Sequence, residues 1–256
     1  MTVFYFSATG NSLYVAKRIG GRLISIPQIL KSGERVFTDD MIGIIFPCYS
    51  GGIPRIVMRF LDQVELKAKY CFAIITFGNE STDVIDQIRK YSVAKGIRLD
   101  YLNTILMVNN YLPMFKIEEE LNKAPRKGIE KAIAAVIDDI QERKQYIPSS
   151  GFSSKFWGAI FRSGANKITR GNVDQRFTID KKCSHCHICT KVCPVGNINL
   201  NENHLFGHQC EGCLSCIHHC PNGAIHIKGE KSAKRFLNSN IKLEDIITAN
   251  MQQNSQ

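Results

Sequence analysis

Hydrophobic and polar positions follow two alternating periods over the first 150 residues of this 256-residue chain. Five short apolar runs, rich in β-branched and aromatic residues, predict strands at residues 2–6, 23–26, 41–46, 70–76 and 102–108. Between them, apolar residues recur at helical spacing, most clearly at Ile129, Ala132, Ile133, Val136, Ile137 and Ile140. Apolar strands that alternate with helices predict an α/β domain around a parallel sheet buried on both faces.

A different pattern begins at residue 183. The spacing C-x2-C-x2-C-x3-C-P occurs twice, 27 residues apart, first from Cys183 to Pro194 and then from Cys210 to Pro221. A short β-like run follows each copy, at residues 197–200 and 223–227. The repeat predicts a small module that is built twice.

This repeat holds eight of the ten cysteines, and the other two are Cys48 and Cys71. Met1 leads directly into a strand-like run without a secretory signal, so we expect the reducing cytoplasm and metal ligation rather than disulfides. Zinc is the alternative metal, but structural zinc favours two C-x2-C pairs separated by a longer loop. Three cysteines in each loop favour iron–sulfur clusters. Cys48 and Cys71 are expected to be free, buried thiols.

The cysteine repeat resembles bacterial-type two-[4Fe–4S] ferredoxins over about residues 176–228, with Ile179-Asp180 and Gly223-Ala224-Ile225 also typical of that family. In such proteins the fourth cysteine of each motif serves the other cluster. The resemblance therefore implies two [4Fe–4S] clusters, one held by Cys183, Cys186, Cys189 and Cys220 and the other by Cys210, Cys213, Cys216 and Cys193. Three histidines are close enough in sequence to the cluster cysteines to tune cluster potentials through charge: His187, His218 and His219. The alternative is that most of the histidines are solvated loop residues.

The first predicted strand runs into the loop Ser7-Ala8-Thr9-Gly10-Asn11-Ser12, and a helix is predicted after it. Hydroxyl groups, a glycine and a helix N-terminus together suit a phosphate monoester. Neither a Walker loop nor a G-x-G-x-x-G string occurs in the chain, which excludes those two nucleotide-binding signatures.

This loop resembles the FMN phosphate loop of flavodoxins, and the resemblance covers about residues 1–147. It implies a doubly wound, five-stranded parallel sheet of order 2-1-3-4-5 with FMN as the cofactor. In flavodoxins two more loops, after strands three and four, wrap the flavin ring. The FMN contacts implied here are Ser7, Ala8, Thr9, Gly10, Asn11 and Ser12 in the first loop, Pro47, Tyr49, Ser50, Gly51 and Gly52 in the second, and Thr76, Phe77, Gly78 and Asn79 in the third. Residues 109–113, after strand five, are expected to close the site.

The formal net charge is +10, and residues 151–182 carry half of it, with 7 basic and 2 acidic side chains. We expect residues 148–175 to be a basic connector, with its large apolar residues on one helical face: Phe152, Phe156, Trp157, Ile160 and Phe161. Nucleic-acid binding and a membrane-surface helix are the alternative interpretations. Two clusters and an FMN phosphate would offset about six positive charges. The charge therefore favours bound anions and an acidic redox partner docking on the connector, rather than nucleic acid. No apolar run is long enough for a membrane span.

The chain resembles flavodoxin–ferredoxin fusion proteins of anaerobic prokaryotes over essentially its full length, with residues 229–256 as a C-terminal tail. The resemblance implies an intracellular electron-transfer flavoprotein that relays electrons between FMN, two clusters and partner oxidoreductases. No catalytic side chain is assigned, because the cofactors carry this chemistry. Two alternatives stay open: a ferredoxin-coupled flavin reductase acting on a quinone, nitro compound or oxygen, and a cluster-bearing docking module without flavin.

Overall fold

Five parallel strands form the main sheet in the computed structural model, which describes residues 1–81, 83–149, 151, 173–200 and 205–251. The strands are β1 (Thr2–Tyr5), β2 (Arg22–Ser25), β3 (Val36–Pro47), β4 (Glu65–Phe77) and β5 (Tyr101–Leu106). Their order across the sheet is β2-β1-β3-β4-β5. The doubly wound order 2-1-3-4-5 is thus confirmed, and it is the flavodoxin-like arrangement.

Helices pack on both faces of this sheet: α1 (Asn11–Ile19), α2 (Ile26–Ser32), α3 (Arg55–Gln63), α4 (Val84–Ala94), α5 (Ile117–Lys123), a 3-10 turn (Ala124–Lys127) and α6 (Ile129–Gln141). Neighbouring strand residues point to opposite faces, so Phe4 belongs to one core and Tyr5 to the other. The predicted stripe of α6 buries Ile133, Val136 and Ile140. The apolar pattern therefore predicted the layers correctly.

The first residues of β3 and β4 were not predicted as strand. The structure pairs Val36 with Glu65 and continues in register to Pro47 with Thr76. These extensions lie beyond β1, which pairs with β3 only at Ile42–Ile45. They are polar and mostly exposed, so they lack the apolar run on which the strand prediction rested.

The cysteine-rich residues form a small α+β unit. Its elements are β6 (Phe177–Ile179), α7 (Ile188–Lys191), β7 (Ile198–Asn199), β8 (Leu205–Phe206), α8 (Ser215–His218) and β9 (Ile225–Ile227), with β6 antiparallel to β9 and β7 antiparallel to β8. The backbone repeats as the sequence does: His187 and Leu214, 27 residues apart, both have φ 57° and ψ 13°. Each turn therefore places the cysteines around it in the same way.

The C-terminal tail returns to the flavodoxin-like domain and ends in α9 (Leu243–Asn250). Asp245 forms an ion pair of 2.8 Å with Lys17 on α1. The backbone N–H of Asn238 donates to the Thr9 carbonyl over 3.0 Å, and its side-chain amide donates to Asn11 Oδ1 over 3.1 Å. The tail therefore braces the back of the loop that follows β1.

The predicted aromatic face of the connector falls on residues 152–172, which lie outside the described residues, and stays a prediction. The proposed domain limits also stay predictions. Within the described part of the chain, no helix combines the length and the apolar character needed to cross a membrane.

Candidate functional site

A large cavity of ≈ 630 Å³ lies at the carboxyl ends of β1, β3, β4 and β5. This is the edge where ligands bind in doubly wound sheets. The fifteen residues expected to contact FMN meet here, except two: thirteen line the cavity, and Gly10 and Gly52 do not. Gly10 instead faces the C-terminal tail, where an added Cβ would lie 3.0 Å from Asn238 Cβ.

The loop after β1 is shaped by its own hydroxyl groups. Gly10 adopts φ 96°, and its N–H donates to Ser7 Oγ over 3.2 Å. Ser12 Oγ and Thr76 Oγ1 are 2.8 Å apart, which joins this loop to the end of β4. Because α1 starts at Asn11, its free N–H groups and positive dipole end lie beside three hydroxyl groups.

The segment after β5 ties down the same loop. Asn110 Nδ2 donates to Thr9 Oγ1 over 2.8 Å, and Asn11 Nδ2 donates to the Val108 carbonyl over 2.9 Å. Both Val108 and Asn110 line the cavity. The expectation that residues 109–113 close the site holds in geometry for Asn109, Asn110 and Tyr111, which are part of the cavity wall.

The loop after β3 is a tight turn. Tyr49 and Gly52 exchange two backbone hydrogen bonds of 3.0 and 2.9 Å. Ser50 (φ 49°) and Gly51 (φ 75°) lie in the left-handed region, as two-residue hairpin turns of type I′ require. Gly52 completes this turn rather than touching the cavity. Burial raises the pKa of Tyr49 well above its usual value, so the phenol stays protonated.

The loop after β4 is held from behind by a buried cation. Lys127 Nζ donates to the carbonyls of Gly78 over 2.9 Å and of Met107 over 2.8 Å, and lies 3.1 Å from Glu120 Oε2. A Cβ on Gly78 would lie 2.7 Å from Asn109. Two walls of the cavity are therefore locked to each other, and Gly78 has no room for a side chain.

Sequence reasoning missed several residues of the cavity wall: Glu80, Met107, Met114, Phe115, Gly212 and Leu214. The first four belong to segments whose apolar or polar character gave no sign of a ligand. Gly212 and Leu214 come from the cysteine-rich unit, together with Cys213. Only the packing of the two parts of the chain against each other brings these three residues to the cavity.

Two small cavities of ≈ 20 Å³ each lie within the cysteine-rich unit. We call the first group of lining cysteines the inner set: Cys193, Cys210, Cys213 and Cys216. We call the second the outer set: Cys183, Cys186, Cys189 and Cys220. The eight cysteines thus divide as the ferredoxin resemblance implied, with the fourth of each repeat crossing to the other group.

Backbone amides point at the sulfur atoms of three of these cysteines. The N–H groups of Asn197, Gly212 and Ala224 donate to the Sγ atoms of Cys193, Cys210 and Cys220 over 3.2, 3.3 and 3.2 Å. Among the described residues, no group of three or more His, Cys, Asp or Glu side chains is placed to hold a single metal ion. The cysteines surround cavities instead of converging on one point.

Burial favours the protonated thiol at the more enclosed of these cysteines. It raises the pKa of Cys210 to about 12 and that of Cys189 to about 11, and it raises those of Cys213 and Cys216 well above the ordinary value. A metal centre that binds here must displace protons from the sulfur atoms.

The two cysteines outside the repeat are free thiols, as expected. Cys48 is half-buried and lines the large cavity, whereas Cys71 is buried within β4. Burial raises the pKa of both to about 12. Neither is therefore a reactive thiolate near neutral pH.

His218 was expected to tune the cluster potentials through its charge, but the structure places it in a buried position. It is 5% exposed; Nε2 donates to the Asn110 carbonyl over 2.9 Å, and Nδ1 accepts from the Phe236 N–H over 3.2 Å. Burial lowers its pKa to about 3, which favours the neutral ring. Burial also lowers the pKa of His219. His218 instead joins the cysteine-rich unit to the segment after β5 and to the tail.

Two curated relatives share sequence with this chain. Protein NrdI of Bartonella quintana is 33% identical over 86 residues, which is 32% of this chain and 62% of that protein. Protein NrdI of Bartonella henselae is 30% identical over 102 residues, which is 38% of this chain and 70% of that protein. The chain belongs to the NrdI family. The NrdI likeness concerns the flavodoxin-like domain and spans less than two thirds of the Bartonella quintana NrdI.

No family model matches the chain. Among solved structures, a protein of Bacteroides uniformis ATCC 8492, provisionally described as a flavoprotein, has a TM-score of 0.33 at 18% identity and covers 41% of this chain and 89% of its own. The Trp repressor binding protein of Bacillus subtilis has a TM-score of 0.29 at 12% identity and covers 54% and 98%. At these TM-scores neither structure bears on the function of this NrdI-family chain.

Proposed function

We propose that this chain is an electron-transfer iron–sulfur flavoprotein, with FMN in the large cavity and one [4Fe–4S] cluster in each cysteine-lined cavity. One observation carries the proposal. Cys213 and Leu214 line both the large cavity and the cavity of the inner set. A cofactor in the large cavity and a cluster on the inner set would therefore be neighbours across a single loop, as an electron relay requires.

The large cavity suits FMN in its chemistry and in its size. The hydroxyl groups of Ser7, Thr9 and Ser12 and the start of α1 provide neutral donors for a phosphate. Among the described residues that line the cavity, Glu80 is the only Asp, Glu, Lys, Arg or His. Its volume of ≈ 630 Å³ lies within the range of cofactor pockets, about 300–1,000 Å³.

The two small cavities suit iron–sulfur clusters. Each offers four cysteine sulfurs, the donor set of [4Fe–4S] clusters. Backbone N–H groups already point at Cys193, Cys210 and Cys220. Such donors stabilise negative charge on ligating sulfur.

When bound, FMN exchanges electrons in pairs or singly and each cluster exchanges one. The residues of the chain would bind and orient these groups, and Cys213 and Leu214, which line both cavities, would lie between them. The partners we propose are redox proteins of the same reducing compartment. No side chain is needed as a catalytic acid or base.

Substitution of Thr9 by Asp tests the phosphate site. A carboxylate placed beside a phosphate costs about 4 kcal/mol per like-charge pair at 4 Å and an effective dielectric constant of 20. We expect FMN affinity to fall at least about 100-fold, measured by quenching of flavin fluorescence, while the iron content stays unchanged. Thr38→Asp, on the exposed start of β3, is the matched control and should bind FMN normally.

Retention of FMN by Thr9→Asp would refute the placement of the phosphate. Failure of the unsubstituted protein, prepared without oxygen, to bind added FMN would refute the flavin assignment itself.

A further inference from the structure

The two cysteine sets differ in their access to solvent. In the inner set Cys193, Cys210 and Cys216 are only 7–8% exposed, and Cys213, which lines the large cavity, is half-buried. In the outer set Cys186 is exposed, Cys183 and Cys220 are half-buried, and only Cys189 is buried. The inner set is thus the more enclosed of the two.

We call residues 210–216 the inner loop and residues 183–189 the outer loop. The inner loop is fixed to the flavodoxin-like domain by hydrogen bonds. Ser215 Oγ donates to the Ala8 carbonyl over 3.0 Å, which places α8 beside the loop that follows β1. The side chain of Glu211 is 4% exposed and accepts a hydrogen bond of 3.3 Å from the Ile56 N–H at the start of α3. The guanidinium group of Arg55 donates to the Cys210 carbonyl. Residues 214–219 are buried and residues 211–213 are half-buried, so this loop offers little surface to a protein partner.

The outer loop is exposed to solvent at the positions equivalent to those where the inner loop packs against the rest of the chain. The residues 27 positions before Glu211, Gly212 and Leu214 are Ser184, His185 and His187, and all three are exposed. Residues 181–200 contain three lysines, Lys181, Lys182 and Lys191, and no acidic residue. All three lysines are exposed. The carboxylate that precedes them in sequence, that of Asp180, accepts from the Lys182 N–H and lies 3.2 Å from His226 Nε2.

We propose that the two sets have separate tasks: the inner set exchanges electrons with the cofactor of the large cavity, and the outer set exchanges them with an acidic one-electron redox protein that docks on the lysine-bearing loop. This inference rests on the proposed function and adds the order of the relay and the docking face. The electrons and protons of this relay balance without another reagent. Two reduced partner molecules each give one electron at the outer set, and two electrons with two protons from water reduce one flavin; the reverse flow oxidises it.

Chelation of iron tests the difference in access. Bathophenanthroline disulfonate is added without oxygen to the fully loaded, reduced chain, and iron release is followed directly. Released FMN is measured by fluorescence in filtrates that have been reoxidised. We expect two phases of equal size, with the faster one at least about tenfold quicker and FMN retained until it is complete. Release of all iron in one phase, or loss of FMN during the faster phase, would overturn the assignment.

Charge reversal tests the docking face. The double variant Lys181→Glu/Lys182→Glu should keep all its iron and FMN, because neither lysine lines a cavity. Its electron exchange with an acidic [2Fe–2S] ferredoxin, followed by stopped flow at low salt, should slow at least about tenfold and lose most of its salt dependence. The control Lys67→Glu/Lys69→Glu reverses two exposed lysines at the opposite end of β4 and should change the rate less than about twofold.

Equal slowing in both double variants, or no slowing in either, would overturn the docking face. Salt-sensitive binding of duplex DNA that only the Lys181→Glu/Lys182→Glu pair abolishes would assign these lysines to nucleic acid instead. If the chain takes up no iron or flavin, the proposed function is wrong. If the loaded chain releases its iron in one phase, only the division of tasks between the two sets is wrong.

Discussion

The two cysteine loops are alike in sequence and backbone and differ in almost everything around them. His187 and Leu214 occupy equivalent positions with the same φ and ψ. Leu214 is buried at the wall of the large cavity, whereas His187 is exposed. The motif therefore determines how sulfur atoms are arranged, and the neighbours of each loop determine what the arrangement can contact.

Three positions account for this difference. Glu211, Leu214 and Ser215 of the inner loop contact α3, the large cavity and the Ala8 carbonyl respectively. Their counterparts are Ser184, His187 and Ile188. The inner loop carries the groups that dock it, and the outer loop lacks them.

The largest effect is expected from removing one cysteine of each set. Cys213→Ser and Cys186→Ser should each lose about four iron atoms, because each takes one ligand from a cluster. Only Cys213→Ser should also weaken FMN binding, by at least about tenfold, because only Cys213 lines the large cavity. Iron analysis and flavin fluorescence titration measure the two effects.

Cys71→Ser, within β4 and away from both sets, should keep all of the iron and serves as the control for thiol removal. If Cys186→Ser weakens FMN binding as much as Cys213→Ser does, the two sets are equivalent and the comparison fails.

A smaller effect is expected from exchanging Glu211 of the inner loop for its counterpart in the outer loop. Glu211→Ser gives the inner loop the residue of the outer loop and leaves the Ile56 N–H without its acceptor. The free energy of unfolding should fall by about 1–3 kcal/mol, measured by denaturant titration of the loaded protein. The reciprocal change Ser184→Glu adds a carboxylate at an exposed position and should stay within about 0.5 kcal/mol. Similar losses in both variants would show that Glu211 does not dock the loop.

The fold was largely readable from the pattern of apolar residues. Buried strands and amphipathic helices need continuous or periodic apolar positions, and the five runs and the α6 stripe met that need. The order of the strands followed from the flavodoxin resemblance. The polar starts of β3 and β4 were missed because their pairing depends on backbone hydrogen bonds between exposed residues, which leave no apolar trace.

The candidate site could be predicted from the sequence where one short segment contains it, as in Ser7–Ser12 and the cysteine repeats. It could not be predicted where distant segments meet. Gly212 and Leu214 reach the large cavity only because Ser215, Glu211 and Arg55 dock two parts of the chain. Local spacing contains no information about such docking. The burial of His218 against Asn110 and Phe236 has the same origin.

The smallest effect concerns the left-handed position before the second cysteine of each loop. Gly212 has φ 67° and its counterpart His185 has φ 53°. Gly212→Ala should lower the free energy of unfolding by only about 1 kcal/mol, since a Cβ there would meet Val173 at an ordinary distance of 3.5 Å. His185→Gly should stay within about 0.5 kcal/mol. A loss several times larger in Gly212→Ala would mean that the inner loop tolerates no side chain at its contact with the cavity.

Cofactor content and electron capacity, measured on one preparation made without oxygen, test the central claim most directly. Iron, acid-labile sulfide and FMN are quantified, and the same sample is titrated with a low-potential reductant. The account predicts about eight iron atoms, eight sulfides and one FMN per chain, and uptake of about four electrons, two by the flavin and one by each cluster. A chain that carries no flavin, or that holds only one or two metal ions and takes up no electrons, would contradict it.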